Sequence, residues 1–158
     1  MQTFSVNPIG EFKVDGSGFY ITVAEPYRAG LTALAGFSHL AVLWWFSELD
    51  APELRTILTA PQPYKKGPET IGVFATRGPA RPNPLALTMV EILRLEPEQG
   101  LIEISYTDAN ANSPILDIKP YTPSADRIEH PATPEWCAHW PKSWEASGDF
   151  AWEDEFNF

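Results

Sequence analysis

Cysteine occurs once, at Cys137, so no disulfide can form within the chain. No apolar run approaches the roughly 18 residues of a membrane-spanning helix. The longest stretch, Leu40 to Phe46, suits a buried strand instead. The opening Met-Gln-Thr-Phe-Ser-Val-Asn has neither a basic start nor an apolar core, so no export signal is expected. Together these features lead to the expectation of a cytoplasmic protein. Basic residues are scarce: 11 Lys and Arg stand against 21 Asp and Glu, a net charge of −10 with His neutral. Nucleic-acid binders usually carry a basic surplus, because Lys and Arg displace the counterions of phosphate. The deficit is uneven, however. Lys65, Lys66, Arg77, Arg81 and Lys119 fall centrally, while Glu145, Asp149, Glu153, Asp154 and Glu155 crowd the end. An anionic ligand is therefore expected at the centre, away from the acidic tail.

Proline and glycine are plentiful, at 16 and 10 of 158 residues, which disfavours long helices and favours short strands joined by turns. Ile9–Val14 and Phe19–Ala24 flank Asp15-Gly16-Ser17-Gly18 and predict a hairpin. His39–Phe46 predicts a central strand and Gly72–Thr76 a short one. Leu87–Leu95 and Leu101–Tyr106 predict a second hairpin around Glu96–Gly100. In its second strand Ile102, Ile104 and Tyr106 share one face. Helices are expected only over Tyr27–Ala35 and from an N-cap at Thr133, through Pro134, to about Trp140. The class is all-β or β-dominated: one bent sheet or barrel spanning residues 1–158, with 127–158 as an irregular C-terminal wrap. Trp136, Trp140 and Trp144 are expected to close the barrel or a dimer interface, and Phe150–Phe158 to form a packed strand.

Two segments carry the chemistry. In Gly72-Val73-Phe74-Ala75-Thr76-Arg77-Gly78-Pro79-Ala80-Arg81-Pro82-Asn83-Pro84, three prolines within six positions stiffen the backbone around two arginines and an asparagine. These side chains suit carboxylate, phosphate or base edges; a rigid loop with solvated arginines is the plainer reading. The second segment, Asp108 to Tyr121, places Asp117 and Lys119 on one side of extended chain, where a surface ion pair worth roughly 0–1 kcal/mol is the plainer reading. Ser38 and His39 are neighbours on a strand and are expected to point oppositely. His130, Cys137 and His139 lack a second ligand pair at a standard spacing, so no metal is expected.

Phe-Ala-Thr-Arg…Arg-Pro-Asn-Pro, Asp-Ile-Lys-Pro-Tyr and Leu34-Ala35-Gly36-Phe37-Ser38-His39-Leu40 resemble the signature stretches of the TrmO-type (TsaA-like) family, from Ile9 to Asp126. The resemblance implies a short member without the C-terminal domain of longer ones. It also implies an S-adenosylmethionine-dependent methyltransferase acting on threonylcarbamoyl-adenosine beside the tRNA anticodon. The implied fold is a β-barrel without a Rossmann domain, working as a homodimer with sites near the subunit interface. No Gly-x-Gly-x-x-Gly follows a strand, in agreement. Carried over, the cofactor contacts are Arg77, Leu87, Ser47, Glu48, Thr107, Asp108, Ala109 and Asn110. The catalytic set is Asp117, Lys119, Tyr121, Arg81 and Asn83, with Asp117 or Asp108 as base. The chain departs from the family where Ser47-Glu48 replaces His-Gln, where Ala111-Asn112-Ser113-Pro114 replaces Asp-Gly-Thr-Pro, and in a shorter turn at Asp15–Gly18. Two other readings stay open: a small-molecule or free-nucleoside acceptor, and a ligand-binding relative without turnover.

Overall fold

In the computed structural model, which describes residues 2–157, eight strands form in chain order. They are β1 (Gly10–Asp15), β2 (Gly18–Val23), β3 (His39–Trp45), β4 (Thr59–Pro61), β5 (Thr70–Gly72), β6 (Leu85–Glu96), β7 (Leu101–Ile104) and β8 (Pro114–Pro120). By contacts the chain divides into two units: residues up to Asp50 with Pro84–Arg127, and Ala51–Asn83 with the chain from Ile128 onward.

The first unit is a closed antiparallel barrel in the order β1-β2-β7-β6-β3-β8. Its first hairpin turns through two residues, with Asp15 paired to Gly18. Gly18, at φ +142°, takes a backbone conformation that L side chains rarely adopt. The second hairpin turns at Gly100, left-handed at φ +69°, where a Cβ would lie 2.4 Å from the Val23 carbonyl oxygen. Inward-facing Phe12, Ile21, Leu40, Val42, Val90, Ile102, Ile104 and Ile115 are at most 1% exposed. Each such side chain contributes roughly 1.5–3 kcal/mol by leaving water. Pairing of β8 with both β1 and β3 closes the sheet through strands that contain none of Trp136, Trp140 and Trp144. β7 ends at Ile104, so Tyr106 lies beyond the strand; it is 59% exposed and sets its ring edgewise on Phe19.

A register shift sets the chemistry-bearing face. Leu43 pairs with Asp117 but Trp44 pairs with Ile115, so Leu116 is skipped. Ile115 and Ile118 therefore both pack on the core, while Asp117 and Lys119 share the outer face with Leu43 and Ala41, their partners across the pair.

The second unit has little regular structure. β4 and β5 form a two-stranded ribbon, and Tyr64 makes an isolated bridge to Phe156. Tyr64 also stacks on Trp136 at 5.2 Å and meets Trp140 edgewise at 5.1 Å, with Trp152 and Phe156 continuing the cluster. Trp136 and Trp140 thus pack within this unit, and Trp144 is 42% exposed. Several local expectations change here. Gly72–Thr76 is not a strand: β5 stops at Gly72 and Val73–Ala75 turns as a 3-10 helix. The helix expected from Pro134 shrinks to Glu135–Cys137, since the few residues before Pro141 cannot repay helix nucleation. Glu25–Leu31 likewise winds as a 3-10 helix. Within the span expected to be a strand from Phe150, Trp152–Asp154 is a 3-10 turn; Phe158 lies outside the described residues.

Candidate functional site

A cleft of about 190 Å³ opens where β3 ends, lined by Trp44, Phe46, Ser47, Glu48, Leu49, Asp108, Asn110 and Ser113. The chain turns sharply after β3, with the Ser47 N–H bonded to the Trp45 carbonyl at 2.9 Å and Leu49 N–H to Phe46 at 3.0 Å. That turn lifts Ser47 and Glu48 to the cleft's edge. Beyond β7 the chain keeps a two-residue period: Thr107 and Ala109 are buried, and Asp108 and Asn110 are exposed on the cleft. The Thr107 hydroxyl accepts the Ala109 N–H at 3.1 Å, which stiffens this segment. The Asn110 side-chain amide donates to Glu48 at 2.5 Å, tying the two walls together.

A short hydrogen-bonded chain runs from the core to the cleft. The Trp44 indole N–H donates to the Thr88 hydroxyl at 2.9 Å, and that hydroxyl donates to the Asp108 carboxylate at 3.4 Å. Trp44 and Phe46 supply an apolar wall, their rings 4.6 Å apart. Trp44, Phe46, Thr88 and Ser113 were not singled out from the sequence. The signal for Thr88 was available, as a polar residue on the inward phase of a strand otherwise lined by Ala86 and Val90.

Leu87, Asp117, Lys119 and Tyr121 gather on the outer face of β6, β3 and β8. Leu43 pairs with both Leu87 and Asp117, so those two lie about 10 Å apart across one intervening strand. In the next row Met89, Ala41 and Lys119 align, and beyond it the Tyr121 N–H bonds the His39 carbonyl at 2.9 Å. The His39 and Tyr121 rings meet edgewise at 6.4 Å. Lys119 Nζ sits 2.5 Å from the Asp117 carboxylate, whose other oxygen accepts the Ile118 N–H at 2.9 Å. Contrary to expectation, Ser38 and His39 touch, with Oγ and Nδ1 2.8 Å apart. Ser38 precedes the strand and is free of its alternation.

Arg77, Arg81 and Asn83 belong to the second unit. Arg81 folds back on its own loop: Nη2 donates to the carbonyls of Thr76 at 2.6 Å and Val73 at 3.1 Å, and Nε to Gly78 at 2.7 Å. Arg55 Nε donates to the Pro82 carbonyl at 3.1 Å. Arg77 and Asn83 are exposed. The Arg77 backbone N–H reaches the hydroxyl of Tyr64, whose phenol is pushed above its ordinary value of 10 chiefly by burial. Tyr64 was also missed, since a lone tyrosine in a proline-rich stretch carries no local signal. Elsewhere in this unit Glu155 is 6% exposed and accepts hydrogen bonds from His139 at 2.8 Å and the Trp140 indole at 3.1 Å. Lys66 lies 3.4 Å from the same carboxylate. The His139 hydrogen bond, followed by those of Trp140 and the charge of Lys66, outweighs burial and holds the Glu155 carboxyl below 4.5.

Among the described residues no helix is long and apolar enough to cross a membrane. Residues 4–127 match the family described as tRNA-methyltransferase O N-terminal domain. An S-adenosyl-L-methionine-binding protein of Archaeoglobus fulgidus is 36% identical over 108 residues, 68% of this chain and 72% of that protein. A tRNA (adenine(37)-N6)-methyltransferase of Eikenella corrodens is 34% identical over 122 residues, 77% of this chain and 65% of its own length. A crystal structure of TrmO superposes with a TM-score of 0.65 at 26% identity, covering 84% of this chain. The chain spans 64% of that solved structure's length. With the match running through the whole barrel and the proline–arginine loop, the chain belongs to the tRNA-methyltransferase O N-terminal domain family.

Proposed function

We propose that this chain is an S-adenosylmethionine-dependent methyltransferase whose cofactor sits in the cleft at the end of β3. The observation that carries the reading is the meeting of Ser47, Glu48, Asp108 and Asn110 on one cleft. The donor set fits a cationic nucleoside. Glu48 and Asp108 favour positive charge and accept from hydroxyls or an ammonium group, and Trp44, Phe46 and Leu49 offer apolar surface to a base. At about 190 Å³ the cleft is smaller than the roughly 300–1,000 Å³ of sites that enclose a drug-sized ligand, so it would hold one part of the molecule. Bound S-adenosylmethionine supplies a methyl group on positive sulfur, transferred by in-line displacement to a nucleophile, leaving a neutral thioether.

The protein's contribution is positioning and a proton acceptor. Asp108, held by Thr88, is the base candidate on the cleft. Asp117 is the alternative, with Lys119 and Tyr121 orienting the acceptor. Arg77 is assigned to the methionine carboxylate, and Leu87, Thr107 and Ala109 to the cofactor's surroundings. Arg81 shapes the loop that carries Arg77, and Asn83, exposed on the same loop, is assigned to the acceptor. The acceptor assigned is threonylcarbamoyl-adenosine beside the tRNA anticodon, in a cytoplasmic homodimer. The names of the Eikenella relative and of the matching family support a tRNA substrate. The net charge of −10 supports a small-molecule or free-nucleoside acceptor as the second reading.

Mass spectrometry of tRNA nucleosides from a deletion strain and its parent tests the acceptor. Loss of the methylated threonylcarbamoyl-adenosine is expected, and an unchanged peak would contradict the tRNA assignment. Calorimetric titration with S-adenosylmethionine tests the cleft. Asp108→Asn should weaken binding by about 10- to 100-fold, the range for a lost hydrogen bond to a charged group. Equal affinity would remove Asp108 from the site.

A further inference from the structure

Phe74 is 82% exposed, more than any other large apolar side chain among the described residues. Phe4, at 79%, lies in an irregular segment before β1, but Phe74 sits on a turn fixed from several directions. The Val73 carbonyl accepts the Thr76 N–H at 3.2 Å, the Thr76 hydroxyl at 2.9 Å and Arg81 Nη2 at 3.1 Å. Arg81 also clamps the carbonyls of Thr76 and Gly78, Arg55 holds that of Pro82, and Pro79, Pro82 and Pro84 restrict φ along the loop. Val73 is 3% exposed and anchors the turn. A bare aromatic ring is thus presented on backbone with little entropy left to lose on binding.

The stretch of chain that carries it is basic, although the whole chain is acidic and Lys66 in that stretch is paired with Glu155. Residues 51–83 contain Arg55, Lys65, Lys66, Arg77 and Arg81 against only Glu53 and Glu69. The hydrogen-bond partners of Arg81 are backbone carbonyls and a hydroxyl, so no carboxylate neutralises it there. An exposed ring next to fixed positive charge suits an unstacked nucleobase with its phosphate.

We infer that Phe74 is a stacking platform for an unpaired base of the acceptor RNA, and that Arg81 positions it by clamping the turn. This rests on the tRNA reading above and adds to it a residue that grips the RNA. Arg81 acts through the loop and is a positioning residue.

The test measures binding of a fluorescein-labelled anticodon stem-loop by anisotropy, alongside S-adenosylmethionine affinity by calorimetry and association state by light scattering. Phe74→Ala should weaken RNA binding about 5- to 150-fold, the span measured for loss of one stacked base, with cofactor affinity and association state unchanged. Phe74→Trp should keep or tighten RNA binding, and Phe74→Leu should be as weak as Phe74→Ala, because an aliphatic group has no ring to stack. Arg81→Ala should weaken RNA binding and speed amide exchange at Thr76, whereas Arg81→Lys should rescue neither. Binding of wild type and Phe74→Ala with equal affinity would overturn the inference while leaving the tRNA reading intact. A Phe74→Leu protein that binds as well as wild type would also overturn it, as would a change in association state in place of RNA affinity. No RNA binding by the wild type, with S-adenosylmethionine still bound, would overturn both.

Discussion

The two units fix their loops by different physics. In the barrel, the strands' hydrogen-bond ladder and a mostly aliphatic core around Phe12 and Trp44 hold everything, and the cleft residues hang from strand ends. In the second unit the regular ribbon is only three residues a side, β4 with β5. Side chains do the work instead: the Tyr64–Trp136–Trp140–Trp152–Phe156 cluster, the Glu155 hydrogen bonds and the Arg81 clamp. Backbone order in the first case is spread over many equivalent bonds. In the second it rests on a few groups, so single substitutions there should act locally and distinctly.

The largest effect is expected in the barrel. Phe12→Ala removes a ring that is fully buried and set edgewise on Trp44 at 5.8 Å. Urea unfolding should show a loss of about 3–5 kcal/mol. Next comes Trp140→Ala, which removes ring contacts to Tyr64, Trp136 and Trp152 and the indole bond to Glu155. Native-state hydrogen exchange should show a drop of about 3 kcal/mol, the low end for truncating a large ring because Trp140 is only partly buried, in protection at Lys65 and Asn157, whose N–H groups bond Glu155 and Pro63. The amide of Val42 in β3 should be unaffected; equal loss at both places would erase the contrast between the units.

The third prediction is a pH dependence. A carboxyl held below its unfolded value adds stability that is complete above about 4.5, the ordinary glutamate value, and lost as pH falls through the lowered one. Exchange protection at Lys65 should therefore fall as pH drops below that value in the wild type, and Glu155→Gln should lack this step. The smallest effect is expected at Lys119. Its ion pair with Asp117 is mostly exposed, 63% and 48% by side chain. Lys119→Ala should cost about 0–1 kcal/mol in urea unfolding while still altering turnover if the residue orients an acceptor.

The barrel was largely legible in the sequence because alternation and turn chemistry are local. Asp15-Gly16-Ser17-Gly18 and Gly100 marked both hairpins, and β3 read as a continuous apolar run. The skipped Leu116 was not legible, since a bulge depends on how β3 and β8 pair. Without it, simple alternation would bring Ile115 and Asp117 to one face. In the second unit the expectations failed more often, at Gly72–Thr76, after Pro134 and from Phe150. Proline-rich segments with tryptophans fold by ring packing between distant positions, which no period reveals. Of the site, the cleft residues Ser47, Glu48, Asp108 and Asn110 came from family resemblance. Trp44 and Thr88, which support Asp108, emerged only from the hydrogen bonds.

The central claim is that the cleft at the end of β3 receives S-adenosylmethionine. A titration followed by backbone amide chemical shifts in ¹⁵N-labelled protein tests it most directly. Saturable shifts should be largest over residues 46–49 and 107–113, and small through the Trp136–Phe156 cluster. Binding that leaves 46–49 and 107–113 unmoved, or that shifts chiefly the aromatic cluster, would contradict it.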